Sequence, residues 1–196
     1  MTQLRSVPPE TESDSDEALL ERFQDRRDVG ALSELIRRYS PRLRGLLANM
    51  LRGSAEEMAD AEQEVFLQLV RKVHTYRGRS SFSTFFYSLA RNRVLDLIRS
   101  QSRYDARHGG TVEFDLIRTD HAGPEEQLLE LEQRRAIRRA LATLDPDDRF
   151  LLHMKEVEGM RVRELAAVAR LGENTVKSRL MRARRKLASQ LGEDEI

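Results

Sequence analysis

The sequence of 196 residues contains no cysteine and no tryptophan, and it has only four histidines. Without cysteine the chain can form neither a disulfide framework nor a thiolate metal site. The histidines are scattered along the chain, and no two of them stand at the spacing of metal ligands. We therefore expect no bound metal and no cofactor.

Long apolar runs are also absent. No run approaches the roughly 20 residues that a membrane-spanning helix requires. Residues 1–14 are polar, include two prolines and lack the apolar core of a secretory signal. We therefore expect a disordered tail over residues 1–14, no membrane insertion and a cytoplasmic protein.

The net charge is only +1, but the charges are unevenly distributed. An acidic stretch at 10–17 precedes a basic one at 71–107. A second acidic stretch at 113–132 precedes a second basic one at 177–186. Two separated basic segments suit a protein that contacts phosphates at two places. Charge runs of this kind are also found on solvated helix faces, so both interpretations stay open.

Helical periodicity dominates, and alternating strand patterns are absent. Ser54 and Glu57 have the form of a capping box, and Asp145 followed by Pro146 is a strong helix start. The pattern predicts helices at about 29–51, 55–73, 82–103, 125–144, 146–158, 162–170 and 173–190.

The stretch 105–125 interrupts this pattern with the pair Gly109-Gly110, the dipeptide Gly123-Pro124 and many acids. Such a composition is typical of a linker. The sequence therefore predicts an all-α protein with two small helical domains, at residues 15–104 and 126–192, joined by a flexible acidic linker at 105–125.

The last two helices have the spacing of a helix-turn-helix, with Leu171 and Gly172 at the turn. In the second helix, residues at i, i+4, i+7 and i+11 form an apolar stripe: Val176, Leu180, Ala183 and Leu187. The opposite face and its flanks carry side chains suited to base edges and phosphates: Asn174, Thr175, Lys177, Ser178, Met181, Arg182 and Arg185. A plain helical hairpin with a solvated basic face is the alternative.

The helix after Ser54 has an apolar side and a polar side. The polar side contains Asp60, Gln63, Glu64, Leu67 and Arg71. A leucine within a polar, partly acidic face is typical of a protein-docking surface, although a single exposed leucine needs no special explanation. A metal site formed by Asp60, Glu62 and Glu64 is disfavoured, because a helix would place Glu62 on a different side from the other two carboxylates.

Aromatic residues alternate with arginine and serine over 76–87, a composition that can stack unpaired bases and hold their backbone. The following helix is expected to expose Thr84, Ser88, Arg91, Asn92, Leu95 and Arg99. Most of the aromatics are expected in the core, and Phe82 fits either environment.

Two strings in the chain resemble bacterial RNA polymerase sigma factors. Asp60-x-x-Gln63-Glu64-Val65-Phe66, together with the segment from Phe82 to Arg99, resembles region 2. The segment from Leu144 to Arg149, followed by Thr175-Val-Lys-Ser-Arg-Leu180 and Arg182-Ala-Arg, resembles region 4. The presence of these two regions alone is typical of the extracytoplasmic-function group.

The resemblance implies a specificity subunit of RNA polymerase that recognises the −35 and −10 promoter elements and assists strand opening. Polymerase docking on the β′ clamp helices would use Asp60, Gln63, Glu64, Leu67 and Arg71. The −10 element would be bound by Arg77, Arg79, Ser80, Ser81, Phe82, Thr84, Arg91, Asn92 and Arg99. The −35 element would be bound by Arg163, Asn174, Thr175, Lys177, Ser178, Met181, Arg182 and Arg185. An anti-sigma factor is an expected further partner.

The sequence departs from the family pattern at three places. Phe85 stands where the family usually has tryptophan. Arg170-Leu171-Gly172 replaces a turn that usually contains glycine and a capping serine, and Arg161 replaces the serine cap of the preceding helix. These departures concern the pose of the recognition helix.

Two other functions are weaker explanations. A stand-alone helix-turn-helix regulator would explain residues 126–192 but not the matches in the first domain. An enzyme, for example a nuclease using Asp60 and Glu64 with a metal, would lack a phosphate-binding glycine loop and a nucleophile–base pair. We therefore predict a protein that is not an enzyme and has no small-molecule substrate.

Overall fold

The computed structural model describes residues 14–108 and 136–192, here called the N-terminal and C-terminal halves. Within these ranges the chain is helical and contains no strand. The helices are α1 (Asp16–Arg26), α2 (Val29–Met50), α3 (Ala55–Lys72), a short 3₁₀ turn (Val73–Thr75), α4 (Phe82–His108), α5 (described over 136–142), α6 (Pro146–Glu156), α7 (Val162–Ala169) and α8 (Glu173–Gly192). The all-α prediction is confirmed.

Parts of the prediction lie outside the described residues. These parts are the tail up to residue 13, most of the proposed linker, and the helix predicted from 125 as far as residue 135. The other predicted helices have boundaries close to those observed, except that α4 continues to His108. The prediction that the linker begins at residue 105 is therefore wrong, because residues 105–108 extend this helix. No helix in the two described halves is both long enough and apolar enough to cross a membrane.

Helix α1 was not predicted, although its signals are in the sequence. The Ser15 side chain accepts a hydrogen bond from the main-chain N–H of Ala18, and two acids occupy the first turn. The apolar side chains Leu19, Leu20 and Phe23 are buried. Phe23 lies three and four residues after the two leucines, which is the spacing of a helix with one buried face.

Helices α2, α3 and α4 form the core of the N-terminal half. Tyr39 of α2 lies at its centre, with its ring centroid 5.0 Å from that of Phe82 and 4.8 Å from that of Phe86. Helix α3 begins with the predicted capping box, in which Ser54 and Glu57 exchange hydrogen bonds of 3.2 and 2.7 Å. Edge-to-face aromatic packing and reciprocal capping together fix the positions of these helices.

The C-terminal half is built around the helix-turn-helix. Asp145 caps α6, and its side chain accepts from the main-chain N–H of Asp147 at 2.9 Å. Between α7 and α8, Arg170 adopts the left-handed conformation with φ of 56°. An arginine therefore takes the conformation that favours glycine, and the turn forms despite its departure from the family pattern.

The two halves pack against each other and share one hydrophobic core. The hydroxyl of Tyr87 donates to Glu158 at 2.7 Å, Arg149 donates to the carbonyl of Met50 at 2.8 Å, and Asn49 lies 3.1 Å from the His153 ring. The sequence predicted two domains joined by a tether. In this structure α6 and α7 cover parts of α2 and α4.

Candidate interfaces for nucleic acid and protein

Helix α3 presents the predicted docking face, defined by Asp60, Gln63, Glu64, Leu67 and Arg71. All but the half-buried Glu64 are exposed. Leu67 is 44% exposed, although the other large apolar side chains nearby on α3, Val65, Phe66 and Leu69, are buried. The burial of the opposite side holds the helix in one orientation. The result is an apolar side chain surrounded by polar and charged ones, which suits contact with another protein.

Two ion pairs set the charge around the docking face. Glu64 pairs with Arg93 of α4. Glu62, which falls on the inner side of α3, pairs with Arg44 of α2 at 2.7 Å. This contact explains an acid on a largely apolar side, for which the sequence pattern alone gave no reason.

The loop 76–83 is tightly organised by its own hydrogen bonds. The Tyr76 hydroxyl donates to the carbonyl of Ser80 at 2.7 Å, and the chain turns at Gly78 with φ of +67°. The Ser81 hydroxyl accepts from the main-chain N–H of Thr84 at 3.3 Å, as an N-cap does. Arg77, Arg79 and Ser81 are exposed on this loop, and Ser80 is half-buried.

Two predicted DNA-contacting residues are buried instead. Phe82 is 0% exposed and stacks within the Tyr39 and Phe86 cluster, and Thr84 is 5% exposed. The prediction that these two side chains contact DNA is wrong for this conformation. The Phe82 ring packs inside the core, and the Thr84 hydroxyl is hydrogen-bonded to the Ser81 hydroxyl. In the aromatic segment 76–87, the exposed side chains are those of Arg77, Arg79 and Ser81.

The exposed face predicted for α4 is divided by the C-terminal half. Asn92 and Arg99 are exposed as expected. Leu95 is only 5% exposed, and the Arg91 side chain is 15% exposed and pairs with Asp147 of α6. The prediction of exposure at Arg91 and Leu95 is wrong here, because α6 and α7 pack on this helix.

The outer face of α8, here called the recognition face, is exposed throughout. It consists of Asn174, Thr175, Lys177, Ser178, Met181, Arg182 and Arg185, and Arg163 of α7 is exposed as well. The inner stripe is buried at Val176, Leu180 and Ala183, and Leu187 packs partly against it. Three cations, two hydroxyls and an amide on one face match the chemistry of phosphates and base edges.

Two other basic residues of α8 form ion pairs with acids of α6. Arg179 pairs with Asp148 at 3.3 Å, and Arg184 pairs with Glu156 at 2.6 Å. By contrast, Lys177, Arg182 and Arg185 form no ion pair with any other residue of the described ranges. Burial raises the pKa of Asp148, and the positive charges of Arg179 and Arg182 oppose that rise.

Residues of α1 support the loop, and the sequence pattern did not identify them. Glu17 accepts from the main-chain N–H of Phe82 at 2.7 Å, at the positive end of α4. Gln24 donates to the carbonyls of Val73 and Tyr76 at 2.5 and 3.3 Å. Their only signal is position on an amphipathic helix, because their partners lie 49 to 65 residues away.

Comparison with known proteins identifies both halves. The model of Sigma-70 region 2 matches residues 35–104, and the model of Sigma-70 region 4 matches residues 134–187. Among curated proteins, the RNA polymerase sigma-H factor of Pseudomonas aeruginosa is 30% identical over 177 residues, covering 87% of this chain and 91% of that protein. The ECF RNA polymerase sigma-E factor of Escherichia coli is 28% identical over 176 residues, with the same coverages of 87% and 91%.

Solved structures share the fold. CnrH, in complex with the cytosolic domain of CnrY, superposes with a TM-score of 0.70 at 22% identity and covers 92% of this chain and 99% of that one. RpoE, in complex with the anti-sigma factor NepR from Bartonella quintana, superposes with a TM-score of 0.67 at 21% identity and covers 82% and 96%.

Proposed function

The chain belongs to the extracytoplasmic-function RNA polymerase sigma factors and acts in transcription initiation, and from this premise we propose which of its surfaces bind polymerase and which bind the promoter. The main support for this assignment is that one chain matches both region 2 and region 4 of the Sigma-70 family. A stand-alone regulator is not favoured, because the N-terminal half would then have no reason to match region 2.

The docking face on α3 binds the clamp helices of the polymerase β′ subunit. Leu67 supplies the central apolar contact, and Asp60, Gln63, Glu64 and Arg71 supply a polar rim. An apolar centre within a polar rim is the usual composition of a protein interface. Residue burial supports this assignment, because the opposite side of α3 is buried in the core at Ala61, Val65, Phe66 and Leu69.

The −10 element is bound by the loop 76–83 and the exposed side of α4. Arg77 and Arg79 contact the phosphates, and Ser80 and Ser81 form polar contacts with an unpaired base. Asn92 and Arg99 hold the backbone of the separated strand. Arg91 joins them once its pairing with Asp147 is released.

The −35 element is bound by the recognition face. As the second helix of a helix-turn-helix, α8 enters the major groove, with its first turns against the base edges. Lys177 and Arg185 contact phosphates, and Arg182 contacts a base edge. Asn174, Thr175, Ser178 and Met181 complete the surface, and Arg163 of α7 reaches the backbone.

The first experiment measures binding of the purified protein to core RNA polymerase and compares wild type with Leu67→Glu. We expect tight binding by the wild type and a large loss in the variant, because a carboxylate replaces the apolar centre of the docking face. Val29→Glu is the matched control. Val29 is 68% exposed at the first position of α2, where an acid is favourable.

Equal binding of core polymerase by wild type and Leu67→Glu would show that the polymerase does not dock on this face of α3. Failure of the wild type to bind polymerase, with duplex binding retained, would favour the stand-alone regulator. Loss in both variants would point to a general effect of added charge.

We also propose that an anti-sigma factor binds this chain. The RpoE structure contains such a partner, and RpoE has the same fold as this chain. The inhibitor competes for the docking face and the promoter-binding surfaces. Size-exclusion chromatography with proteins encoded beside the gene tests this. A stable complex that prevents polymerase binding supports the proposal, and no complex with any neighbour counts against it.

A further inference from the structure

The turn between α7 and α8 is held by its main chain. The N–H of Leu171 donates to the carbonyl of Ala166 at 3.0 Å, and the N–H of Arg170 donates to the carbonyl of Ala167 at 3.4 Å. This pair of bonds ends a helix through one left-handed residue, here Arg170 with φ of 56°. No side-chain atom takes part in either bond, so glycine at position 170 would form the same turn.

Arginine is an unfavourable residue at this position of the turn. A Cβ in the left-handed conformation costs about 1 kcal/mol, a cost that glycine avoids. Across residues 14–108 and 136–192, the exposed Arg170 guanidinium has no hydrogen-bond or ion-pair partner that would offset this cost. A residue that is strained without any contact in the free protein points to a role in a complex.

Arg170 extends an exposed face of α7 that already includes a proposed DNA contact. The exposed residues recur at i, i+4 and i+7, which are Arg163, Ala167 and Arg170. The opposite side of α7 is buried at Leu165 and Val168. The two arginines lie about 10 Å apart along the helix axis, at 1.5 Å per residue. Between them stands only the small side chain of Ala167, which leaves room for a DNA backbone to approach closely.

The fold places this face of α7 beside the DNA backbone. When the second helix of a helix-turn-helix lies in the major groove, the first helix crosses the backbone. Arg170 stands three residues before Glu173, the first residue of α8, and therefore at the border of the groove that α8 would enter. A guanidinium can donate two parallel hydrogen bonds to the oxygens of one phosphate.

We propose that Arg170 binds a phosphate of the DNA backbone beside the −35 element, and that this contact is the function for which the strained turn is retained. The inference rests on the proposed function, in which α8 enters the major groove of that element. A phosphate contact fixes the register of α8 on the duplex and carries no sequence information.

The test measures the salt dependence of duplex binding by wild type, Arg170→Gly and Arg170→Lys. The probe is a fluorescein-labelled duplex of mixed sequence, and its anisotropy gives the affinity at each salt concentration. Loss of one phosphate contact reduces the slope of log affinity against log salt by about 0.9, which is about eightfold weaker binding at about 0.1 M salt. Arg170→Gly should show both changes, and Arg170→Lys, which keeps the cation, should show neither.

Stability separates this contact from a structural role. Arg170→Gly relieves the strained turn, so a purely structural residue would give unchanged or tighter binding in that variant. Weaker binding by a protein that unfolds at a higher temperature than wild type can only come from the lost side chain. Arg184→Ala is the matched control, because Arg184 pairs with Glu156 and should leave the slope unchanged.

Lys177→Ala tests the proposed recognition face in the same assay. If Lys177→Ala reduces the slope and Arg170→Gly does not, Arg170 binds no phosphate and the −35 assignment of α8 stands. If neither variant reduces the slope, or wild type does not bind the duplex, the recognition face itself is wrong. Selection from a random duplex library should return the same bases for Arg170→Gly as for wild type. A changed preference would show that Arg170 reads a base and would overturn the phosphate assignment.

Discussion

Arg149 donates a hydrogen bond of 2.8 Å to the main-chain carbonyl of Met50, a residue 99 positions earlier in the chain. Met50 ends α2, so its carbonyl is one of those left without a partner inside that helix. The guanidinium lies at the negative end of the helix dipole, which favours a cation. One side chain of α6 thus caps a helix of the other half, and burial lowers the pKa of Arg149.

Arg149→Met should weaken the packing of the halves by about 1–3 kcal/mol, because it leaves a buried carbonyl without a donor. Denaturant titration would report the loss as a lower free energy of unfolding. Arg103→Met, at an exposed position of α4, should not change this free energy. An unaltered free energy of unfolding in Arg149→Met would show that the carbonyl finds another donor.

Arg170→Gly should stabilise the C-terminal half by about 1 kcal/mol, because a non-glycine residue in the left-handed conformation carries roughly that strain. Arg170→Ala, with the same strain, should give no such gain. Thermal unfolding of the two variants beside wild type is the measurement. A loss of stability in the glycine variant would mean that the arginine side chain itself contributes.

Arg182→Ala should weaken duplex recognition by roughly 1–3 kcal/mol and relax the base preference at one position. Selection from a random duplex library, followed by sequencing, measures both effects. Arg184→Ala is the control, since Arg184 pairs with Glu156 and points toward α6. If Arg182→Ala selects the same sequences as wild type, Arg182 does not read a base.

Acidification should loosen the interface through His153. Burial lowers the pKa of His153, and the nearby charge of Glu158 only partly opposes that effect. The exposed ring of the open or unfolded form has a pKa of about 6.5 and takes up a proton first as the pH falls. Stability is therefore unaffected well above pH 6.5 and declines progressively below it.

Denaturant titration at a series of pH values between pH 7.5 and about 5.5 tests this dependence. His153→Gln should remove most of it, whereas His74→Gln, at an exposed position, should leave it in place. A pH profile of His153→Gln that matches wild type would assign the effect to other groups.

The sequence predicted what local periodicity determines. The capping box at Ser54 follows from local capping residues, and the exposed Leu67 and the buried stripe of α8 follow from repeats of three and four residues. The recognition face is therefore exposed along its whole predicted length.

Contacts between segments that are distant in the sequence could not be predicted from local periodicity. Phe82 is buried because Tyr39 of α2 packs on its ring. Arg91 is covered because it pairs with Asp147, a residue 56 positions later in the chain. A helical wheel shows which residues share a face, but it does not show which element will cover that face. The roles of Glu17 and Gln24 could not be predicted for the same reason, since their partners lie more than 48 positions away.

The Tyr87–Glu158 contact also has a consequence during synthesis. Its two residues are 71 positions apart, and a ribosome adding about 5–20 residues per second needs about 4–14 s to reach the second after the first. All the partners of α1 to α4 within the N-terminal half are made before that. Each nascent chain thus passes through an interval in which its first half can fold while the contact that would cover α4 does not yet exist.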